Sequence, residues 1–292
     1  MSVAYFNGDY LPLEEVRISP LDRGFLFGDA VYEVIPSYAG EFFLLGPHLE
    51  RLERSLAAIR LPSPLSRGEW AERLVELLRR NAAGPGHDLG IYLQVTRGVA
   101  PRDHAFPAEG APTVFAMASP IRPLSDAVRS GGIAAITTPD HRWGRCDIKA
   151  TTLLPNVLAR QLASEADAME AILLREGRVI EGAASNVFAQ FGDTLVTPPL
   201  QDALLPGVTR ALVLDLAREC GLQVVERELD EAELRGADEI WLTSSTREIL
   251  PVSRLDGAPV GAGVPGPGWR AVHAAYQIAK LEEVQRREEG TA

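Results

Sequence analysis

The sequence predicts a two-domain fold of the α+β / α/β class, and three observations carry that expectation. The chain has 292 residues, enough for two moderate hydrophobic cores. Short apolar runs with strand-like alternation are interspersed with stretches of helical spacing along its length. A stretch from Ser119 to Gly132, carrying Pro120, Pro123, Ser125, Ser130 and a Gly pair, interrupts this pattern like a connector. The expected organisation is therefore a small N-terminal α/β domain over residues 1–118, a connector over 119–132 and a larger C-terminal α/β domain over 133–292.

In the first half, Val31–Ile35 and Phe42–Leu45 read as strands joined by a turn at Tyr38-Ala39-Gly40-Glu41. A helix is expected after Pro47, with Leu49, Leu52, Leu56 and Ile59 on one stripe and Arg51 beside it. Ser66-Arg67-Gly68-Glu69 is a capping box, and Trp70, Leu74 and Leu77 share one face of the helix it opens. Ile91, Leu93 and Val95 alternate as in a half-buried strand. The loop Arg97–Pro112 leads to another strand at Thr113–Met117. In the second half, strands are expected near 133–137, 171–174, 186–190, 224–227 and 239–243. Helices are expected over 156–168, 207–220 and 269–287.

Composition excludes several function classes. The net charge of −11 argues against nucleic acid as a main partner, because phosphate backbones are met by basic faces. Two cysteines, Cys146 and Cys220, cannot build a disulfide framework and read as reduced thiols. The N-terminus lacks the basic-then-apolar pattern of a signal peptide, and no apolar run reaches the ~18 residues of a membrane span, so a cytoplasmic location without a membrane partner is expected. No zinc pattern, Walker Gly-Lys-Ser/Thr or Gly-x-Ser-x-Gly is present. Gly261–Gly266 formally matches the dinucleotide fingerprint, but Pro265 stands where the helix should begin. Cys146 with His141 lacks a third group to orient a thiol nucleophile.

Of the 29 Lys and Arg residues only two are lysine, Lys149 and Lys280. A lysine that persists in an arginine-dominated chain suggests a need for its primary amine, which guanidinium cannot replace. Lys280 lies beside Glu282 and Glu283 and reads as a solvated salt-bridging residue. Lys149 stands just before a helix; a surface lysine is its alternative reading. Glu181-Gly182-Ala183-Ala184 offers a carboxylate beside small residues that admit a flat ligand, or simply a turn. Leu205-Pro206-Gly207-Val208-Thr209-Arg210 opens a helix whose free N–H groups and Thr209 hydroxyl could cradle an anion; an ordinary cap is the alternative. Ser244-Ser245-Thr246 is a second hydroxyl-rich turn, and Arg51 could balance the charge. Arg102-Asp103-His104, in a long loop, could grip a carboxylate or be a solvated charged segment.

Taken together and in order, these segments resemble fold-type IV pyridoxal-phosphate enzymes, most closely the D-amino-acid aminotransferases. The resemblance rests on Leu21–Glu33, Pro47–Leu52, Gln94–Gly98, Cys146–Lys149, Glu181-Gly182 with Ser185–Phe188, Pro206–Arg210 and Thr243–Thr246. It implies pyridoxal 5'-phosphate as cofactor and Lys149 as the lysine that forms the internal Schiff base and shuttles the proton. It implies that Glu181 keeps the pyridine nitrogen protonated and that Arg51, Val208, Thr209, Ser244 and Ser245 hold the phosphate. The resemblance also implies a substrate-carboxylate trap of Tyr32 with Arg102 and His104, the last two supplied by the neighbouring subunit of a homodimer.

The implied reaction exchanges the amino group of a D-amino acid such as D-alanine with a 2-oxo acid such as 2-oxoglutarate. A branched-chain L-amino-acid or (R)-amine transaminase, an aminodeoxychorismate lyase, and a non-catalytic carrier of a phosphate ligand are the alternatives. The sequence departs from the resemblance where Ala183 and Ala184 replace serines common in its closest members, and where Asp103 inserts a negative charge between Arg102 and His104, weakening anion binding if it points inward and irrelevant if outward.

Overall fold

The computed structural model describes residues 2–81 and 88–290, with side chains described through residue 285. The chain divides into two compact units. The first comprises Met1–Arg122, Ile148–Thr152 and Glu283–Ala292; the second comprises Pro123–Asp147 and Leu153–Glu282.

In the first unit the strands are β1 (Val3–Phe6), β2 (Asp9–Pro12), β3 (Ala30–Tyr38), β4 (Glu41–Phe42), β5 (Leu89–Thr96) and β6 (Thr113–Pro120). They form one antiparallel sheet in the order β2-β1-β6-β5-β3-β4. Its helices are α1 (Arg23–Phe27), α2 (Leu45–Ala58) and α3 (Arg67–Asn81). The period-two pattern decides which face is covered. Ile91, Leu93 and Val95 of β5 join Val31 and Ile35 of β3 in a core with Leu49, Leu52 and Leu56 of α2 and Trp70, Leu74 and Leu77 of α3. Full burial of each large apolar side chain is worth about 1.5–3 kcal/mol, which makes this cluster the main stabilising element of the unit. The capping box forms: the Glu69 carboxylate accepts from the Ser66 N–H at 2.8 Å, and the Glu69 N–H donates to Ser66 Oγ.

Two boundaries differ from expectation here. Leu45, expected to end a strand, opens α2, because Leu44 takes a left-handed φ of 58° and turns the chain into the helix. Pro47 is tolerated because it falls in the first turn, where N–H groups need no helical partner. The β1–β2 hairpin, turning on Asn7-Gly8 with both φ positive, was not foreseen.

In the second unit the strands are β7 (Ile133–Pro139), β8 (Glu170–Arg175), β9 (Arg178–Gly182), β10 (Asn186–Phe191), β11 (Thr194–Thr197), β12 (Gln223–Glu226), β13 (Glu239–Ser244), β14 (Glu248–Leu255) and β15 (Ala258–Pro259). They form a mixed nine-stranded sheet in the order β12-β11-β10-β13-β14-β7-β8-β9, with β15 on β14. Its helices are α4 (Asp126–Gly131), α5 (Leu154–Glu165), α6 (Val208–Glu219), α7 (Glu231–Arg235) and α8 (Pro267–Gly290), the last continuing into the residues grouped with the first unit. Val187, Ile240, Leu242, Leu250 and Val252 lie at its core.

The expected connector is irregular over residues 121–125 and regular on either side of them. Ser119 and Pro120 end β6, and Ser125 caps α4 by accepting from the Val128 N–H. The division falls at Arg122/Pro123. Lys149, expected in the C-terminal domain, groups with the first unit. There the Tyr32 N–H donates to the Lys149 carbonyl at 2.9 Å, and Ala150 bridges to Val31.

Candidate active site

The position of Lys149 follows from alternation. Ile148 and Ala150 are buried in the first unit's core, so the intervening side chain points the other way and stays half-buried. Its Nζ lies 4.3 Å from the centroid of the Tyr32 ring, within cation–π range. Its backbone N–H donates to Ser55 Oγ of α2 at 3.3 Å. Tyr32 is on the sheet face opposite the core, stacked against Tyr92 with ring centroids 5.7 Å apart. Burial pushes the Tyr92 hydroxyl up to about 12, and it donates to Gln94 Oε1 at 2.7 Å.

Arg51 is buried, not merely beside the apolar stripe of α2. Its Nε and Nη2 both donate at 2.8 Å to the carboxylate of Glu33, and His48 Nδ1 lies 2.8 Å from the same carboxylate. Glu33 is fully buried on the core face of β3, between Val31 and Ile35. Desolvation opposes its charge, but the Arg51 guanidinium and His48 more than offset it and hold the carboxyl far below its ordinary value. Desolvation lowers the His48 imidazole, so the ring is held neutral beside an ionised Glu33–Arg51 pair. A charged residue alternating with core residues was a legible sign of a buried pair, and Glu33 escaped the sequence reading.

Arg102 and His104 lie on an exposed loop and flank one ring. Phe27 has the Arg102 guanidinium 5.2 Å and the His104 ring 5.4 Å from its centroid. The loop is pinned from beneath by Arg23, which is 3% exposed. Arg23 donates to the backbone carbonyls of Asp103, Ala105 and His104 at 2.6, 3.2 and 3.3 Å, and to Asp29 at 2.8 Å. Arg97 also holds Asp29 and covers the Phe106 ring at 3.7 Å.

In the second unit Glu181 is the penultimate residue of β9 and is 4% exposed. Arg142 donates to its Oε1, while Asn186 Nδ2 and the Leu205 N–H donate to Oε2 at 3.2 and 3.1 Å. These donors favour the carboxylate form. Arg142, absent from the sequence reading, also makes a two-pronged bond to Asp140 and donates to the Ala203 carbonyl.

Val208 and Thr209 start α6 after Gly207, an N-cap with no side-chain partner for the first-turn N–H groups. A Cβ on Gly207 would fall 2.0 Å from Asn186 Oδ1, so only glycine allows the helix start to approach Glu181's neighbour so closely. Ser244 and Ser245 are half-buried where β13 turns to β14. Thr243, one residue earlier and paired with Asn186 across the sheet, has a buried hydroxyl with no hydrogen-bond partner among the described residues. The second unit thus brings Glu181, Asn186, the α6 start and the 243–245 turn together; Tyr32 and Lys149 meet in the first. Among the described residues no cluster of three or more metal-ligating side chains exists, and no helix is long and apolar enough to cross a membrane.

The amino-transferase class IV family profile matches residues 30–255, and the chain belongs to that family. It is similar to the D-alanine aminotransferase of Bacillus licheniformis, with 42% identity over 96% of this chain and 98% of that one. It is also similar to D-alanine aminotransferases of Staphylococcus haemolyticus (38%, covering 94% and 97%) and Listeria monocytogenes (39%, covering 96% and 95%). Among solved structures it resembles the branched-chain amino acid aminotransferase of Escherichia coli, with TM-score 0.88, 28% identity and 94% and 93% of the chains covered. A T.th. branched-chain amino acid aminotransferase with pyridoxamine 5'-phosphate matches at TM-score 0.86 and 26% identity, covering 95% and 94%. The fold class expected from the sequence, fold-type IV included, is the one these neighbours share.

Proposed function

We propose that this protein is a pyridoxal-phosphate-dependent D-amino-acid aminotransferase, exchanging the amino group of D-alanine-like donors with 2-oxo acids. The observation that carries the reading is full-length similarity to D-alanine aminotransferases, combined with a half-buried lysine set against Tyr32. The second unit's residues suit the cofactor. Glu181, held as an anion, matches a protonated pyridine nitrogen, and the uncapped α6 start with the orphaned Thr243 hydroxyl matches an oxygen-rich anionic group.

When bound, the cofactor supplies an electron sink for the carbanion left when the substrate's Cα proton departs. Lys149 would supply the amine that holds the cofactor, and its Nζ would take and return the substrate's Cα proton as general base and acid. Glu181 holds the ring-nitrogen proton. Val208 through its N–H, and Thr209, Ser244, Ser245 and Arg51 through side chains, hold the phosphate. Tyr32, Arg102 and His104 bind the substrate carboxylate, the latter two across a homodimer. An exposed apolar stripe on α5, formed by Leu154, Val157, Leu158 and Leu162, supports self-association.

The structural neighbours favour one competing reading, a branched-chain L-amino-acid aminotransferase, at lower identity. Offering D-alanine and L-leucine separately, each with 2-oxoglutarate, decides between them. Turnover with D-alanine at a rate well above that with L-leucine is expected; the reverse preference would overturn the assignment.

A further inference from the structure

Behind Glu181 stands a line of charge that the proposed reaction does not use. Asp140, the residue after β7, has a fully buried side chain. It accepts from Arg142 Nε at 2.9 Å and Nη2 at 3.1 Å, and from Arg175 Nη2 at 2.7 Å. The Arg142 side chain is 7% exposed and reaches Glu181 and the Ala203 carbonyl with its remaining donors. Arg175 is 32% exposed and also donates to the Trp143 carbonyl. The order is therefore Arg175, Asp140, Arg142, Glu181, with charges alternating along it.

Alternation has a consequence for any cation that Glu181 faces. A buried arginine paired with Glu181 alone would neutralise the carboxylate and repel a neighbouring positive charge. Asp140 offsets that effect. It leaves Arg142 able to orient Glu181 through hydrogen bonds while most of the carboxylate's negative field survives. The Arg142 bond to the Ala203 carbonyl also fixes the segment from which the Leu205 N–H donates to Glu181.

We infer that Asp140 and Arg142 are positioning residues that set how firmly Glu181 keeps a proton on the cofactor's ring nitrogen. The inference rests on the reading of Glu181 given above and deepens it. Neither residue is a catalytic residue; both act through Glu181. The charge order fixes opposite signs for two substitutions. Asp140→Asn leaves Arg142 uncompensated and weakens the ring nitrogen's hold on its proton. Arg175→Met removes a positive charge from the far side of Asp140 and strengthens that hold. A purely structural role would not separate the two by sign.

The test loads the full-length protein and its variants with pyridoxal phosphate labelled with nitrogen-15 in the ring. The ring resonance is then followed across the pH range in which each protein stays folded. In Asp140→Asn the resonance should move toward its unprotonated position, with kcat for D-alanine falling roughly tenfold or more, the scale for losing a residue that supports a reactive group, and KM little changed. In Arg175→Met the resonance should leave its protonated position only at a higher pH than in the parent protein. Because Arg175 is half-exposed, that variant serves if Asp140→Asn does not fold: a shift toward the unprotonated position in it overturns the inference. Unmoved resonances in both variants, while Glu181→Gln moves its own, would also overturn it and leave the Glu181 assignment standing. An unmoved resonance in Glu181→Gln would remove both.

Discussion

At the residue scale, the chain's chemistry is concentrated in side chains whose neighbours were fixed by backbone alternation. Lys149 faces Tyr32 because Ile148 and Ala150 are drawn into the core on either side. Lys149→Ala should lower turnover by at least roughly 10²–10⁴-fold, the range for a lost general acid–base, without unfolding the protein. Steady-state kinetics beside circular dichroism check this, and near-normal turnover would contradict it. Arg102→Ala should raise KM for small amino-acid substrates by the equivalent of about 2–5 kcal/mol if the contact is a buried charged pair, with cofactor retention unaffected. An unchanged KM would place the carboxylate contact elsewhere. Lys149 stood out in the sequence because lysine is scarce in this chain, whereas Glu181 read as a turn carboxylate until the family resemblance gave it a role. Arg142 did not stand out, because one arginine among so many carries no signal until its partners are known.

At the element scale, two devices hold loops that carry proposed site residues. The Arg102–His104 loop is anchored by Arg23, which reaches three consecutive carbonyls from α1. Arg23→Met should therefore raise KM for the amino acid several-fold while leaving cofactor binding intact; cofactor loss without a KM change would contradict this. The second device corrects the reading of Lys280 as a solvated residue. Its side chain is 15% exposed, and it donates to Glu248 at 2.5 Å, where Gln277 also donates. Glu248 follows the Ser244–Arg247 turn directly and takes a left-handed φ of 57°. Helix α8 thus braces the turn. Lys280→Met should cost about 1–3 kcal/mol of stability, the penalty for stranding a buried acceptor, and should speed cofactor loss. Thermal unfolding and a dialysis time course read the two effects. That brace was invisible in the sequence because the two partners lie 32 positions apart and only the fold joins them. Helix α3, by contrast, was legible to its first residue, since its capping box and apolar face are local signals.

At the scale of the whole molecule, burial of charge governs the response to pH. Glu33, held far below its ordinary 4.5, contributes stability that is present above that value and lost as pH falls toward its folded-state value. Asp29 behaves likewise: two arginines outweigh its desolvation and lower it from 3.8. His48, lowered from 6.5 chiefly by desolvation, adds a loss that begins as pH drops below 6.5, because only the unfolded chain takes the proton there. Denaturant unfolding should therefore be insensitive to these groups at neutral pH and weaken progressively from about pH 6.5 downward. An invariant profile through that range would contradict the buried network. Fold class was readable from periodicity, but the membership of Lys149 was not. Five residues cross to the first unit through a β-bridge and backbone hydrogen bonds, which composition cannot reveal.

One amine of this chain, that of Lys149, is proposed to bind the cofactor. With only two lysines present, borohydride reduction of the pyridoxal-phosphate-loaded protein followed by peptide mass mapping tests it directly. A single reduced pyridoxyl adduct on the peptide containing Lys149 is expected. An adduct confined to Lys280, or none on a fully loaded protein, would contradict it.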